Sequence, residues 1–98
     1  MVEIEVVCSP YPVEPKILDA VRDAAAELGL TVARDDSLAT YPGSRHWHLR
    51  NPSVSGTLEV TSWPAGSRLW VSYHDNRVGD GWVRETAPLF AQEIGRRL

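Results

Sequence analysis

Ninety-eight residues, 43% apolar and 23% charged, can build one hydrophobic core but not two. That balance is globular and excludes a disordered chain, and no apolar run approaches the roughly 20 residues that span a bilayer. The formal net charge of −3 argues against a duplex nucleic-acid partner, which rewards dense lysine and arginine. Charge is nonetheless graded along the chain. Residues 1–36 carry eight acids and three bases, whereas residues 37–98 carry five acids and seven bases. Cys8 is the one cysteine, so no intrachain disulfide can form. With an acidic opening that lacks the basic start of a signal peptide, this sets a reducing, cytoplasmic location as the expectation.

"VEIEVVC" at residues 2–8 alternates Val2, Ile4 and Val6 against Glu3 and Glu5, the period-two pattern of a half-buried strand. "SPYPVEP" breaks it, because proline cannot donate to a ladder. From 14 to 28, Ile17, Leu18, Val21, Ala24, Ala25 and Leu28 recur at helical spacing, with Asp19, Arg22, Asp23 and Glu27 opposite. Gly29 follows where a left-handed C′ residue belongs, placing Leu30 against the last turn. "LTVAR" then reads as a short strand and "DDSLATYPGS" as a loop.

Three further strands are predicted at about 45–50, 56–63 and 68–74, joined by the hairpin-length turns "NPSVSG" and "PAGS". After the turn cluster "HDNRVGDG", residues 82–97 read as a helix, capped by Asp80, with Val83, Ala87, Phe90, Ala91, Ile94 and Leu98 as its stripe. Pro88 should kink it or delay its start to a Thr86 cap. Arg96 and Arg97 suit the negative end of its dipole.

The order is β-α-β-β-β-β-α, an α+β class: a curved antiparallel five-strand sheet with both helices packed on one face. That order matches the TATA-binding-protein-like arrangement, an architectural analogy that brings no activity with it. The predicted core contains Ile4, Val6, Ile17, Leu18, Val21, Leu28, Trp47, Leu49, Leu58, Val60, Val71, Phe90 and Ile94.

The stretch "RHWHLR" carries the chemistry. Alternation puts Trp47 and Leu49 beneath the helices and turns His46, His48 and Arg50 to the other face. The turn lengths set a register in which Arg50 pairs with Thr57, His48 with Glu59 and His46 with Thr61. The next hairpin pairs Trp63 with Arg68, Thr61 with Trp70, Glu59 with Ser72 and Thr57 with His74. The helix-free face therefore gathers all three histidines beside a carboxylate and a tryptophan.

Two functional readings follow. The first is a cytoplasmic, non-enzymatic binding or accessory domain using His46, His48, Arg50, Glu59, Thr61, Trp63, Trp70 and His74. It would bind a protein partner, a second copy of the chain as a homodimer, or an anionic small ligand, with no cofactor and no membrane. Single-stranded nucleic acid, stacked on the tryptophans with Arg50 and Arg68 on phosphates, ranks last. The second is a metal-binding protein or metal-dependent enzyme, with His46, His48 and Glu59 holding zinc or iron and His74 nearby. A decorated surface on which the histidines hydrogen-bond Glu59 is the plainer alternative. Hydrolase chemistry lacks a nucleophile elbow, and "DNRVGDG" misses the calcium-loop spacing.

Overall fold

The computed structural model describes residues 1–75 and 81–98, and for Arg34 the backbone alone. The elements are β1 (Val2–Glu5), α1 (Glu14–Glu27), β2 (Thr31–Asp36), β3 (Arg45–Arg50), β4 (Leu58–Trp63), β5 (Arg68–Tyr73) and α2 (Gly81–Arg97). The five strands form one antiparallel sheet in the order β1-β5-β4-β3-β2. Helices α1 and α2 pack together over one face, as the α+β reading requires.

Each element ends for a local reason. Pro15 sits in the first turn of α1, where a missing N–H costs nothing. The far end is a Schellman closure: Leu30 N–H donates to Ala25 O at 2.8 Å and Gly29 N–H to Ala26 O at 3.2 Å. Gly29 supplies the required φ of +70°. Leu30 is thereby folded into the core, 6% exposed. The β4–β5 hairpin closes through a 3₁₀ turn at Pro64–Gly66, then Ser67 in the left-handed region.

Several boundaries depart from the sequence pattern. β1 stops at Glu5 rather than Cys8, although Val6 N–H still donates to Leu69 O at 2.8 Å. Cys8 lies beyond it in the loop, half-buried, and burial pushes its thiol pKa up, as suits an inert thiol. β2 runs on to Asp36, through residues read as loop, because Asp35 and Asp36 pair with Trp47 and His46 across a bulge after Val32. Asp35 also accepts both Nε and Nη2 of Arg45, at 3.2 and 2.5 Å.

α2 neither starts late nor takes Thr86 as its cap; it runs from Gly81 straight through Pro88. Both Pro88 and Arg84 are exposed, so water can satisfy the carbonyl that proline leaves without a donor. Trp82 Nε1–H donates to Ser55 O at 2.5 Å, tying the helix start to the β3–β4 connection. The expected Asp80 cap lies outside the described residues.

The core holds Ile17, Val21, Trp47, Leu49, Leu58, Val60, Leu69, Val71, Phe90 and Ile94, all nearly unexposed. Ile4, Leu18 and Leu28, predicted as core residues, are half-buried and pack against it from its margin. Ile4 is on an edge strand and the two leucines lie on the flank of α1. Ser62 also points into this side, where its hydroxyl meets the Tyr11 hydroxyl at 2.6 Å. Tyr11 in turn donates to Arg68 O at 3.0 Å, and burial raises its phenol pKa. Trp47 Nε1–H is the exception to this satisfaction: it is buried without a partner.

Candidate functional site

The ladder agrees with the register read from the turns wherever both are defined. His46 pairs with Thr61, His48 with Glu59, Glu59 with Ser72, Thr61 with Trp70, and Trp63 with Arg68. Pairing of Arg50 with Thr57, and of Thr57 with His74, falls beyond the ends of β4 and β5. Glu3 and Glu5 of β1 lie opposite Ser72 and Trp70, adding two acids to this face.

The face centres on Glu59. Its Oε1 lies 2.9 Å from His46 Nε2 and 3.5 Å from His48 Nε2, and its Oε2 lies 3.9 Å from His74 Nε2. The two histidine rings of β3 meet edge to face with centroids 5.0 Å apart. His46 is held at both nitrogens, because Nδ1 lies 2.7 Å from Thr61 Oγ1. His46 and Thr61 are buried, Glu59 and His48 half-buried, and His74 stands at the margin. The hydrogen bond from His46, followed by the field of His46, His48 and His74, outweighs desolvation and holds the Glu59 carboxyl below its usual range.

This shift has a testable sign. A depressed carboxyl pKa contributes stability above the unfolded value of about 4.3, and the contribution is lost as pH falls through the folded one. In metal-free protein, the stability gap between wild type and Glu59→Gln should therefore be constant above about pH 5 and close at lower pH. Urea unfolding at a series of pH values measures it. A gap that does not change with pH would mean the Glu59 charge is not held by these histidines.

The remaining face is not open. The β2–β3 connection, residues 37–44, folds back over it. Its conformation is fixed by Tyr41 N–H to Leu38 O, Ser44 N–H to Tyr41 O, and Leu38 N–H to Ser44 Oγ, at 3.0, 3.0 and 3.1 Å. Tyr41 packs edge-on against Trp63 and Trp70, both with centroids at 5.1 Å, and Trp63 Nε1–H donates to Pro42 O. From the other side the Arg68 guanidinium lies 4.1 Å from the Trp70 ring centre and pairs with Glu3 and Glu5. Trp70 is left only 2% exposed.

This covering corrects the picture of an exposed tryptophan patch. The ground for placing a second copy over Trp70 falls away, and so does a stacking platform for bases. Arg68 is occupied by carboxylates, and Arg50 is exposed at the end of β3, without an ion pair among the described residues. Sequence reading missed Tyr41. An aromatic residue beside Pro-Gly in a ten-residue connection between strands was the available signal.

Between loop and sheet lies a cavity of about 320 Å³, lined by Met1, Leu38, Thr40 and Tyr41 above and by Glu3, His46, Glu59, Thr61, Trp70 and Ser72 below. Ser72 as a residue is 2% exposed, and it lines this cavity beside Glu59 and Trp70. No protein-family model, curated protein or solved structure matches this chain. Among the described residues no helix is long and apolar enough to cross a membrane.

Proposed function

We propose that this chain is a small-ligand-binding domain whose site is the cavity between the Tyr41 loop and the sheet. The observation that carries this reading is the cavity itself, roofed by the Tyr41 loop and floored by Trp70, with the Ser72 hydroxyl and the Glu59 carboxylate on its floor. A hydroxyl that opens onto such a volume is free to donate to, or accept from, a ligand placed there. The volume is at the small end of the range for small-molecule pockets, and its make-up fits an apolar or aromatic body with one polar head. Tyr41, Trp70 and Leu38 would take the body; Ser72 and Glu59 would take the head.

The charge of the lining selects the head. Arg68 offsets Glu3, whereas the Glu59 carboxylate stands on the floor, so a hydroxyl or amine that can donate to it is accepted and a carboxylate beside it repelled. This replaces the anionic ligand expected from the arginine content of the second half.

Benzyl alcohol, benzylamine and benzoate share one body and differ in the head. Titrated into EDTA-treated, isotope-labelled protein, the first two should shift the amides of Thr61 and Ser72 and the Trp70 indole. A ligand of this size binds with Kd on the order of 1 mM. Ser72→Ala should weaken the alcohol several-fold without loss of folding, since among the described residues the hydroxyl makes no hydrogen bond. Absence of shifts at tens of millimolar, or equal shifts with benzoate, would reject the cavity as a site.

A further inference from the structure

We propose that His46, His48 and Glu59 also form a first-row transition-metal site, of the zinc or iron(II) class, with the His74 imidazole within reach as a further donor. This goes beyond the cavity reading and does not rest on it. Each of the three residues offers one ligand atom, and these atoms lie within 4.8 Å of one another. Donors bound at the 2.0–2.1 Å typical of zinc stand about 3.3 Å apart in a tetrahedral shell, so modest side-chain rotations suffice. Two of the distances, 2.9 and 3.5 Å from Glu59 Oε1, already bracket that spacing.

The donor chemistry narrows the ion. Imidazole with a single carboxylate suits zinc, iron, nickel or copper, whereas calcium and magnesium demand mostly oxygen ligands. Charge points the same way. The half-buried Glu59 carboxylate has no lysine or arginine partner among the described residues, and a divalent cation would give it a full counter-charge.

Thr61 provides the support that metal-bound histidines usually have. A ligating imidazole normally donates its other N–H to an outer partner, which fixes ring and tautomer. With a proton on Nε2, His46 donates to Glu59, and its Nδ1 faces the Thr61 hydroxyl at 2.7 Å. When Nε2 binds a metal, the proton resides on Nδ1 instead and the same hydroxyl accepts it. The ring need not move, because a hydroxyl can both donate and accept. His46 and Thr61 are at once paired across the ladder and buried, so the second partner is as firmly placed as the first.

The test uses full-length protein purified without a histidine tag and stripped with EDTA. Cobalt(II) titration should raise visible d–d bands that saturate at one equivalent and are displaced by zinc. His48→Ala should weaken cobalt binding at least tenfold. Thr61→Val should weaken it roughly tenfold while keeping the band shape, as loss of an outer partner does. Circular dichroism establishes that each variant is folded. Independently of any variant, zinc added to the wild type should shift the imidazole resonances of His46 and His48. The site is overturned if no bands form, if calcium competes equally, or if folded His48→Ala binds as tightly as wild type. All arms are run without an organic ligand and the benzyl titrations in EDTA, so each proposal can fail without the other.

Discussion

Trp47→Ala should cost roughly 3–5 kcal/mol of folding stability, the price of deleting a large aromatic from a closed core. Trp47 is 1% exposed, on the β3 face beneath the helices, directly opposite Val60. It belongs to a core cluster drawn from both hairpins and both helices, so the space it leaves would not collapse readily. Trp47→Phe gives the informative contrast. It removes volume but also removes the indole N–H that is buried without a partner, and an unpaired buried donor costs about 1–3 kcal/mol. The two terms offset, and the net loss should stay below about 2 kcal/mol. Urea unfolding of the three proteins settles it. A cost for alanine below about 1 kcal/mol would mean that the two faces of the sheet are assigned the wrong way round.

On the opposite face, Trp70→Glu is expected to destabilise the folded chain by more than about 3 kcal/mol, because a carboxylate replaces a fully covered ring. Glu5 is its cross-strand neighbour, and Arg68, which stacks on the ring, already serves Glu3 and Glu5. The substitution also deletes the cation–π contact and the edge packing of Tyr41. Tyr41→Leu should be milder, about 1 kcal/mol, since it removes aromatic contacts without burying a charge. Thermal unfolding combined with sedimentation separates two accounts of this face. If Trp70→Glu is as stable as wild type and alters only self-association, Trp70 lies at a surface between copies and the Tyr41 loop does not cover it.

How much of this was legible in the sequence depends on whether a residue's partner is set by repetition or by a single long-range contact. The assignment of Trp47 and His46 to opposite faces follows from alternation alone. The meeting of His46 and His48 with Glu59 follows from one turn length, because in an antiparallel hairpin the turn fixes every pair behind it. The cover over Trp70 has no such rule. Tyr41 reaches it through a loop whose path depends on Ser44, Leu38 and Pro42 together, and no periodicity records that. Burial on both faces also erases the expected contrast: β5 is buried at five consecutive positions, Leu69 to Tyr73, although its side chains alternate. Ser62 was legible as inward-facing, but its Tyr11 partner, 51 residues away, was not.

The strand order has a consequence for how the chain comes together. The connections β3–β4 and β4–β5 are short, and a hairpin loop of about five residues closes cheaply. β1 has β5 as its single neighbour, and their pairing encloses about 65 residues of intervening chain. With logarithmic growth of closure entropy, that tenfold longer loop adds about 2 kcal/mol to the cost of docking four residues. β1 therefore has little to gain until β5 and the helices already present a surface to Val6 and Ile4. The segment first in sequence is, on these energetics, the last to be secured, and it brings Glu3 to the cavity floor as it docks.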